Sequence, residues 1–568
     1  MSGDMSIPHL SYGKKMIGFL SNINIEPIKT YFSQEECLFA DYGRYMGELL
    51  DETSMFYTPE VDKIFLFLCG EELLKDLFYE LPDQKFRQEI VRRVDGILEA
   101  IKQFLQKRPG LIFVINNIVF PPDTHLTYLD SNSELSFAVL ESIINERVRD
   151  MAQTEPGLLV LDWPRLVKAS GYNNLTDDKF WYLGRIKLNN QAFFLLAQEF
   201  KGLVRAYQGL SKKVLVLDLD NTLWGGVIGE EGLNGINLSE DGLGKAYRDF
   251  QKEVKALRNR GVLLAINSKN NEEDVKEVFD NHLMMVLTYD DFIVKRVNWH
   301  NKVKNMQVIS DTLNLGLDSF VFIDDNPIER QAVKTACPEV TVPEFPKDIV
   351  QLKRWFLKEV VYPYFSKVYL TQEDLQKTEQ YTANLKRKSL SEQFDLNEFI
   401  KNLNIKLTLH RDPPSITQRI AQLTQKTNQF NLTTRRYSEH TIKQFIEDQN
   451  VRVFGLEYED KFGKEGIIGA AIVRLNGHTA HIDTFLLSCR VIGRDVEYAF
   501  LSRIVDTMPA NGLARITAEF IPTKKNIVAG SFFKKAGFEE KGPNQFEATV
   551  EILNHSLENI SQVPGAKR

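Results

Sequence analysis

Two carboxylates stand two residues apart at the end of an apolar run, Val214-Leu-Val-Leu-Asp218-Leu-Asp220-Asn-Thr222-Leu-Trp224, followed by Gly225-Gly226-Val-Ile-Gly229. Four consecutive apolar residues read as a strand buried on both faces, and Asp218 and Asp220 fall where it stops. In open α/β sheets that is the end beyond which ligands bind. Left unpaired there, both carboxylates would carry a large desolvation cost, so the pattern implies a cation. The plain alternative is a strand ending in a solvated acidic turn. Three more groups follow in order. Leu263-Leu-Ala-Ile-Asn-Ser268 is a second apolar run ending in a hydroxyl. Trp299-His-Asn-Lys302 puts an ammonium at a helix start, and Val321-Phe-Ile-Asp324-Asp325-Asn-Pro ends a third run in paired carboxylates.

These four groups, in this order over about 110 residues, resemble the haloacid dehalogenase superfamily of phosphotransferases, whose first motif reads DxDxT after an apolar strand. The resemblance implies that Asp218 attacks phosphorus to give an aspartyl-phosphate. Asp220 would protonate the leaving oxygen and then activate water, while Thr222, Ser268 and Lys302 hold the phosphoryl oxygens. It also implies Mg²⁺ at Asp218, Asp220, Asp324 and Asp325, with Asp325 either a ligand or a support for one. The insert after Asp220 is short, so no large cap covers the site. An uncapped site admits a bulky substrate, including one carried on a protein.

A second candidate chemistry centres on Cys489 in Ser488-Cys489-Arg490-Val-Ile-Gly493-Arg494-Asp495. Flanking cations favour a thiolate, which is a nucleophile; an inert, packed cysteine is the other reading. His481 is excluded as its base if both lie on one straight strand, because eight residues span about 26 Å. His410 and His440 remain as candidates. The amide- and hydroxyl-rich block from Thr424 to Arg436 reads either as a holder for a small hydroxyacyl or phosphate group or as a capped helix end with a polar loop.

The elements that must position these groups fall into successive units, as the length of 568 residues suggests. Residues 1–205 alternate strands (15–20, 63–68, 111–115, 157–161) with helices (about 86–107 and 133–152), which implies a parallel sheet. The layout resembles an SGNH-hydrolase fold, with Ser21 after the first strand and Asn116-Asn117 after a later one. The expected Asp-x-x-His is replaced by Leu188-Asn-Asn-Gln-Ala, and His9 and His125 are the only histidines here. A serine without an activating histidine makes this a degenerate hydrolase fold used for docking or binding. Residues 206–365 form the phosphatase-like domain, with a helix from Asp241 to Arg260. Residues 366–400 read as a polar linker helix, and 556–568 as a polar tail.

Residues 401–555 have another signature. Residues 467–473 and 479–487 flank Asn476-Gly477, a hairpin turn; a helix at 495–508 and a strand at 515–520 follow. This resembles the GNAT acyltransferases, in which R-x-x-G-x-G/A opens a helix that cradles the pyrophosphate of coenzyme A. Here the motif is Arg490-x-x-Gly493-x-Asp495, and the acidic last position repels pyrophosphate while leaving a slot for a pantetheine arm. The resemblance implies an acyl- or pantetheine-binding set of Arg490, Gly493, Arg494 and Asn526. The fold class is therefore α/β with three domains: a flavodoxin-like SGNH-type parallel sheet, a Rossmann-like sheet with minimal cap, and a GNAT-like mixed α+β domain.

Composition narrows the function classes. A net charge of −7 argues against a nucleic-acid footprint. Cys37, Cys69, Cys337 and Cys489 lie far apart with no CxxC pair, which suits the cytoplasm better than a disulfide scaffold or a zinc site. No apolar run has the length of a membrane helix, and the polar start is not a signal peptide.

Along nearly the whole chain, the combination of an SGNH-like unit, DLDNTLWGGVIGEEG and LLSCRVIGR resembles the FkbH-like proteins. That resemblance implies a glyceryl transferase/phosphatase of polyketide pathways. Such an enzyme takes 1,3-bisphosphoglycerate and loads a glyceryl thioester onto an acyl carrier protein, with Mg²⁺ as cofactor. Two other readings follow from the residues: a Mg²⁺-dependent phosphatase with non-catalytic flanking domains, and a non-catalytic carrier-protein adaptor.

Overall fold

The computed structural model describes residues 15–80, 83–134, 136–391, 394–508 and 514–560. The chain divides at Val204/Arg205 into two compact units. The first holds a five-stranded parallel sheet of β1 (Met16–Ser21), β2 (Glu36–Phe39), β3 (Val61–Phe67), β4 (Ile112–Asn116) and β5 (Leu158–Leu161), in the order β2-β1-β3-β4-β5. Helix Gln84–Lys107 buries Ile90, Val94, Ile97, Ile101 and Phe104 at the spacing of one helical face. Asp83 caps it, accepting from the Phe86 amide at 2.7 Å. The sequence missed β2, a half-exposed edge strand of four residues with no apolar alternation to mark it.

The second unit contains two sheets. One is parallel: β6 (Val214–Leu217), β7 (Leu263–Ser268), β8 (Phe292–Val297) and β9 (Phe320–Ile323), in the order β8-β7-β6-β9. β6 lies between β7 and β9, so the three strands that carry the expected site residues are neighbours. β8, an edge strand carrying Lys295 and Arg296, was not anticipated. The segment after Asp220 forms a short helical stretch, Ile228–Gly235, broken by a kink at Gly232, in place of a cap domain.

The other sheet is mixed. It comprises β10 (Lys406–Arg411), β11 (Phe430–Asn431), β12 (Val451–Asp460), β13 (Gly463–Asn476), β14 (Thr479–Leu487), β15 (Arg515–Glu519), β16 (Glu539–Gly542) and β17 (Gln545–Thr549). Its order is β10-β12-β13-β14-β15-β17-β16, with β14 and β15 the parallel pair. Gly477 turns the β13–β14 hairpin at φ +57°, which favours glycine.

The stretch expected to be a polar linker is more than a solvated spacer. Helix Lys377–Ser391 buries Gln380, Tyr381 and Arg387. Arg387 makes two bonds of 2.6 Å to Asp460 and a further ion pair with Glu465, so the helix is stitched to the mixed sheet. The expected polar tail also departs from solvation in part: helix Val550–Ile560 buries Leu557, while residues 561–568 lie outside those described. Among the described residues, no helix is long and apolar enough to cross a membrane.

Candidate functional site

The phosphatase-like site is built at the carboxyl ends of β6, β7 and β9. Asp218 directly follows β6, and its amide donates to Ile323 O at 3.0 Å, which locks it to β9. The Lys302 ammonium sits 2.8 Å from Asp218 Oδ2 and 2.5 Å from Asp324 Oδ2. Burial alone would lower the Lys302 pKa, but the charges of Asp218 and Asp324 outweigh it and hold the ammonium above its ordinary value. Lys302 opens helix Lys302–Leu313, and its carbonyl accepts from Asn267 Nδ2 at 2.9 Å, so β7 fixes the start of that helix.

Asp218, Asp324 and Asp325 bring one carboxylate oxygen each within 4.8 Å of one another. Three carboxylates against one ammonium leave two negative charges. Burial first, and the charge of Asp218 next, push Asp324 up to about 7 despite its ion pair, and raise Asp325 as well. Asp218 Oδ1 is buried with no hydrogen-bond partner. An orphaned buried oxygen in a cluster short of two positive charges fits a hard divalent cation.

Asp220, expected among the metal ligands, is turned away from that cluster. Its Oδ1 accepts from Trp224 Nε1 at 2.9 Å and from the Ile228 amide at 3.2 Å, and its Oδ2 accepts from Asn270 Nδ2 at 3.0 Å. Burial raises its pKa, which suits a proton donor better than a ligand. Thr222 is fully buried and its Oγ1 accepts from the Asp325 amide at 3.2 Å, so in this state it shapes the acidic loop. Ser268 ends β7, buried, and its Oγ accepts from Asn270 Nδ2 at 3.2 Å. Sequence reasoning gave no role to Asn270, which ties Asp220 to Ser268, or to Arg330, whose Nη1 holds the carbonyls of Asp324 and Asp325 at 2.9 and 2.6 Å. The Asn in Ser268-Lys-Asn270 was a usable signal; Arg330, inside a helix six residues beyond Asp324, gave none.

Cys489 follows β14 in a short 3₁₀ turn, half-buried. It lines a cavity of about 390 Å³ together with Asn314, Tyr381, Asn384, Arg490 and Arg494. Asn314 Nδ2 donates to Cys489 O at 3.2 Å. Arg490 Nε reaches Ser488 Oγ at 3.1 Å, and its Nη1 reaches Glu465 at 2.9 Å and Gln380. Arg494 donates to the Tyr458 hydroxyl at 3.2 Å and to Asn384 Oδ1 at 2.9 Å. Among the described residues no histidine lines the cavity. His410 instead pairs with Glu457, and His481 Nδ1 lies 3.1 Å from Thr517 Oγ1.

The gap between β14 and β15 is closed. β14 and β15 pair only from Thr479 to Ile482, and beyond that point Phe430 and Asn431 take the free edge of β14 at Leu487 and Leu486. The Leu432 amide donates to Phe485 O at 3.1 Å, and the Ile521 amide donates to Leu432 O at 2.8 Å, so this segment bridges both strands. Asn526, expected in the binding set, is fully buried and spends its amide on Asn431 O and Ile521 O, both at 2.9 Å. The Thr424–Arg436 block is likewise satisfied internally: Arg435 pairs with Asp483 and Glu519, and Arg436 with Asn428. Gly493 serves the backbone turn at φ +81°. At the start of helix Val496–Thr507, Glu497 joins Asp495, which makes that helix end acidic.

In the first unit Ser21 Oγ donates to Phe67 O at 2.7 Å and accepts from the Ile23 amide at 3.1 Å. Asn116 is spent on Leu68, accepting from its amide at 2.7 Å and donating to its carbonyl at 3.0 Å. His125 packs on the rings of Phe78 and Phe137, and His9 lies outside the described residues. The serine is a strand-end bracket here.

No family model matches the sequence, and no curated protein does. Among solved structures, the chain is similar to the N-terminal part of protein BF1531 from Bacteroides fragilis, which contains a phosphatase domain and was crystallised with Mg. The identity is 30% and the TM-score 0.56, covering 62% of this chain and 95% of that one. Shorter matches are a spermidine/spermine N-acetyltransferase from Vibrio cholerae, at 18% identity and TM-score 0.21 over 26% of this chain and 98% of that one, and the ribosomal-protein-S18-alanine N-acetyltransferase from Escherichia coli, at 14% and 0.21 over 26% and 94%.

Proposed function

The chain belongs to the family of the Bacteroides fragilis protein BF1531, and from that premise we propose that it is a Mg²⁺-dependent phosphatase coupled to acyl transfer. In this reading it converts 1,3-bisphosphoglycerate to a glyceryl thioester on an acyl carrier protein, in the cytoplasm. The observation that carries the phosphatase half is Lys302 poised between Asp218 and Asp324, with the buried Asp218 Oδ1 left without a partner.

Asp218 attacks the phosphorus of the ester through a carboxylate oxygen and Lys302 neutralises the phosphoryl oxygens as charge develops on them. Asp220, its pKa raised by burial and its orientation fixed by Trp224 and Asn270, gives a proton to the leaving oxygen and then takes one from water. Bound at Asp218, Asp324 and Asp325, Mg²⁺ supplies charge neutralisation for the phosphoryl group. The acyl half rests on Cys489 in its cavity: its sulfur takes the acyl group from the acyl phosphate and passes it to the carrier's pantetheine thiol. The Cys489 cavity, and not the filled gap between β14 and β15, is the place proposed for that thiol.

The same filled gap favours a second reading, a phosphatase whose flanking domains are non-catalytic. The first test is phosphate release by Asp218→Asn. Complete loss is expected, because an amide is a far poorer nucleophile; release near the wild-type rate would refute the site.

A further inference from the structure

Helix Lys377–Ser391 lies along the Cys489 loop and presents one face to it. Gln380 meets Arg490, and Asn384 meets both Arg387 and Arg494. On that face Tyr381 is 6% exposed, its hydroxyl 3.9 Å from Cys489 Sγ. The thiol is the one hydrogen-bond partner this phenol has among the described residues. Both residues line the cavity of about 390 Å³. The two arginines on the loop are committed elsewhere, Arg490 to Glu465 and Arg494 to Tyr458 and Asn384.

We propose that Tyr381 is a catalytic residue of the acyl-transfer step, donating its phenolic O–H to the Cys489 sulfur whenever that sulfur carries negative charge. The proposal rests on Cys489 being the acyl acceptor. Burial, and next the neighbouring Cys489, hold the Tyr381 pKa well above its ordinary value, so the phenol keeps its proton and acts as a donor, not a base.

The chemistry balances without a protein base. Cys489 sulfur attacks the carbonyl carbon of the acyl phosphate; the S–C bond forms and the C–O bond to phosphate breaks. Phosphate leaves with the electron pair and takes up the thiol proton. In the second half an incoming thiol attacks the same carbon and the C–S bond to Cys489 breaks. The Cys489 sulfur leaves with the electron pair and receives the proton shed by the incoming thiol. The Tyr381 hydrogen bond stabilises the sulfur as nucleophile in the first half and as leaving group in the second.

The test uses the full chain carrying Tyr381→Phe, which keeps the ring and its packing, with a thermal melt confirming the fold. Peptide mapping after timed exposure to iodoacetamide reads the alkylation of Cys489, with Cys489→Ser identifying the peptide. A hydrogen bond to a charged sulfur predicts alkylation slowed about tenfold or more in Tyr381→Phe, with hydrolysis of p-nitrophenyl phosphate unchanged. Equal alkylation rates in variant and wild type would overturn the proposal. Incubation with 1,3-bisphosphoglycerate separates it from the functional reading. A wild type that gains no adduct on Cys489 contradicts the glyceryl-transfer reading and with it the role of Tyr381 in catalysis. An adduct formed as fast by Tyr381→Phe as by wild type refutes the role of Tyr381 alone.

Discussion

Lys302 and Asn314 mark the two ends of one helix, and each end serves a different candidate site. Lys302 Nζ lies 2.8 Å from Asp218, and Asn314 Nδ2 lies 3.2 Å from Cys489 O. Twelve residues of helix separate them by about 18 Å. In the proposed reading a three-carbon acyl group on Cys489 is shorter than that helix, so the group is expected to change carrier between the two steps and the two chemistries are expected to be separable.

Cys489→Ala should therefore leave hydrolysis of p-nitrophenyl phosphate within about twofold of wild type, as expected for sites this far apart with no shared partner. A steady-state phosphatase assay decides it. A large loss of activity in a folded variant would show that the two sites are coupled.

Asp324→Asn should separate stability from metal binding. It removes one buried negative charge from a cluster already short of positive charge, so the metal-free variant should melt higher than metal-free wild type at neutral pH. Mg²⁺ should stabilise the wild type by about 2.7 kcal/mol at a hundredfold excess over Kd, raising its midpoint, and leave the variant unmoved. Thermal melts with EDTA and with Mg²⁺ check both; an equal Mg²⁺ shift in the two proteins would remove Asp324 from the ligand set.

Glu497 gives a pH signature. Burial, then the charge of Asp495, push its carboxyl up to about 7, from an ordinary value of 4.5. Between those values the folded chain holds a proton that the unfolded chain has lost, so this group's contribution to stability falls as pH rises through the window. Glu497→Gln should match wild type near about pH 4.5 and melt higher than wild type above about pH 7. A constant difference across that range would contradict the assignment.

Arg387 is 1% exposed and faces Asp460 and Glu465. Arg387→Ala leaves Asp460 buried without its cation and Glu465 with Arg490 alone, at a cost of about 3–5 kcal/mol. Urea unfolding measures it; a loss below about 1 kcal/mol would mean that the helix carrying Tyr381 is held by other contacts.

What the sequence made legible follows from how each feature is encoded. Asp218, Lys302 and Asp324 were readable because the ends of buried strands and the start of a helix are marked by sharp changes of residue type. The direction of Asp220 was not legible, because a two-residue spacing fixes position but not the direction of a side chain, which Trp224 and Asn270 hold. β2 and β8 escaped because edge strands tolerate charge and exposure. The closed gap between β14 and β15 was invisible because Phe430 and Asn431 reach it from about fifty residues upstream, a tertiary pairing with no local pattern. Tyr381 was hidden for a like reason: its helix is rich in basic and polar residues and reads as solvated, although one face is buried against Cys489.

The central claim, that one chain couples phosphate removal to acyl loading, is tested most directly by intact-protein mass spectrometry of an acyl carrier protein. The carrier is incubated with Mg²⁺, 1,3-bisphosphoglycerate and wild type, Asp218→Asn or Cys489→Ala. The account predicts a hydroxylamine-labile glyceryl adduct with wild type, a phosphoglyceryl adduct with Asp218→Asn, and none with Cys489→Ala. A carrier left unmodified by wild type, or loaded equally well by Cys489→Ala, would contradict it.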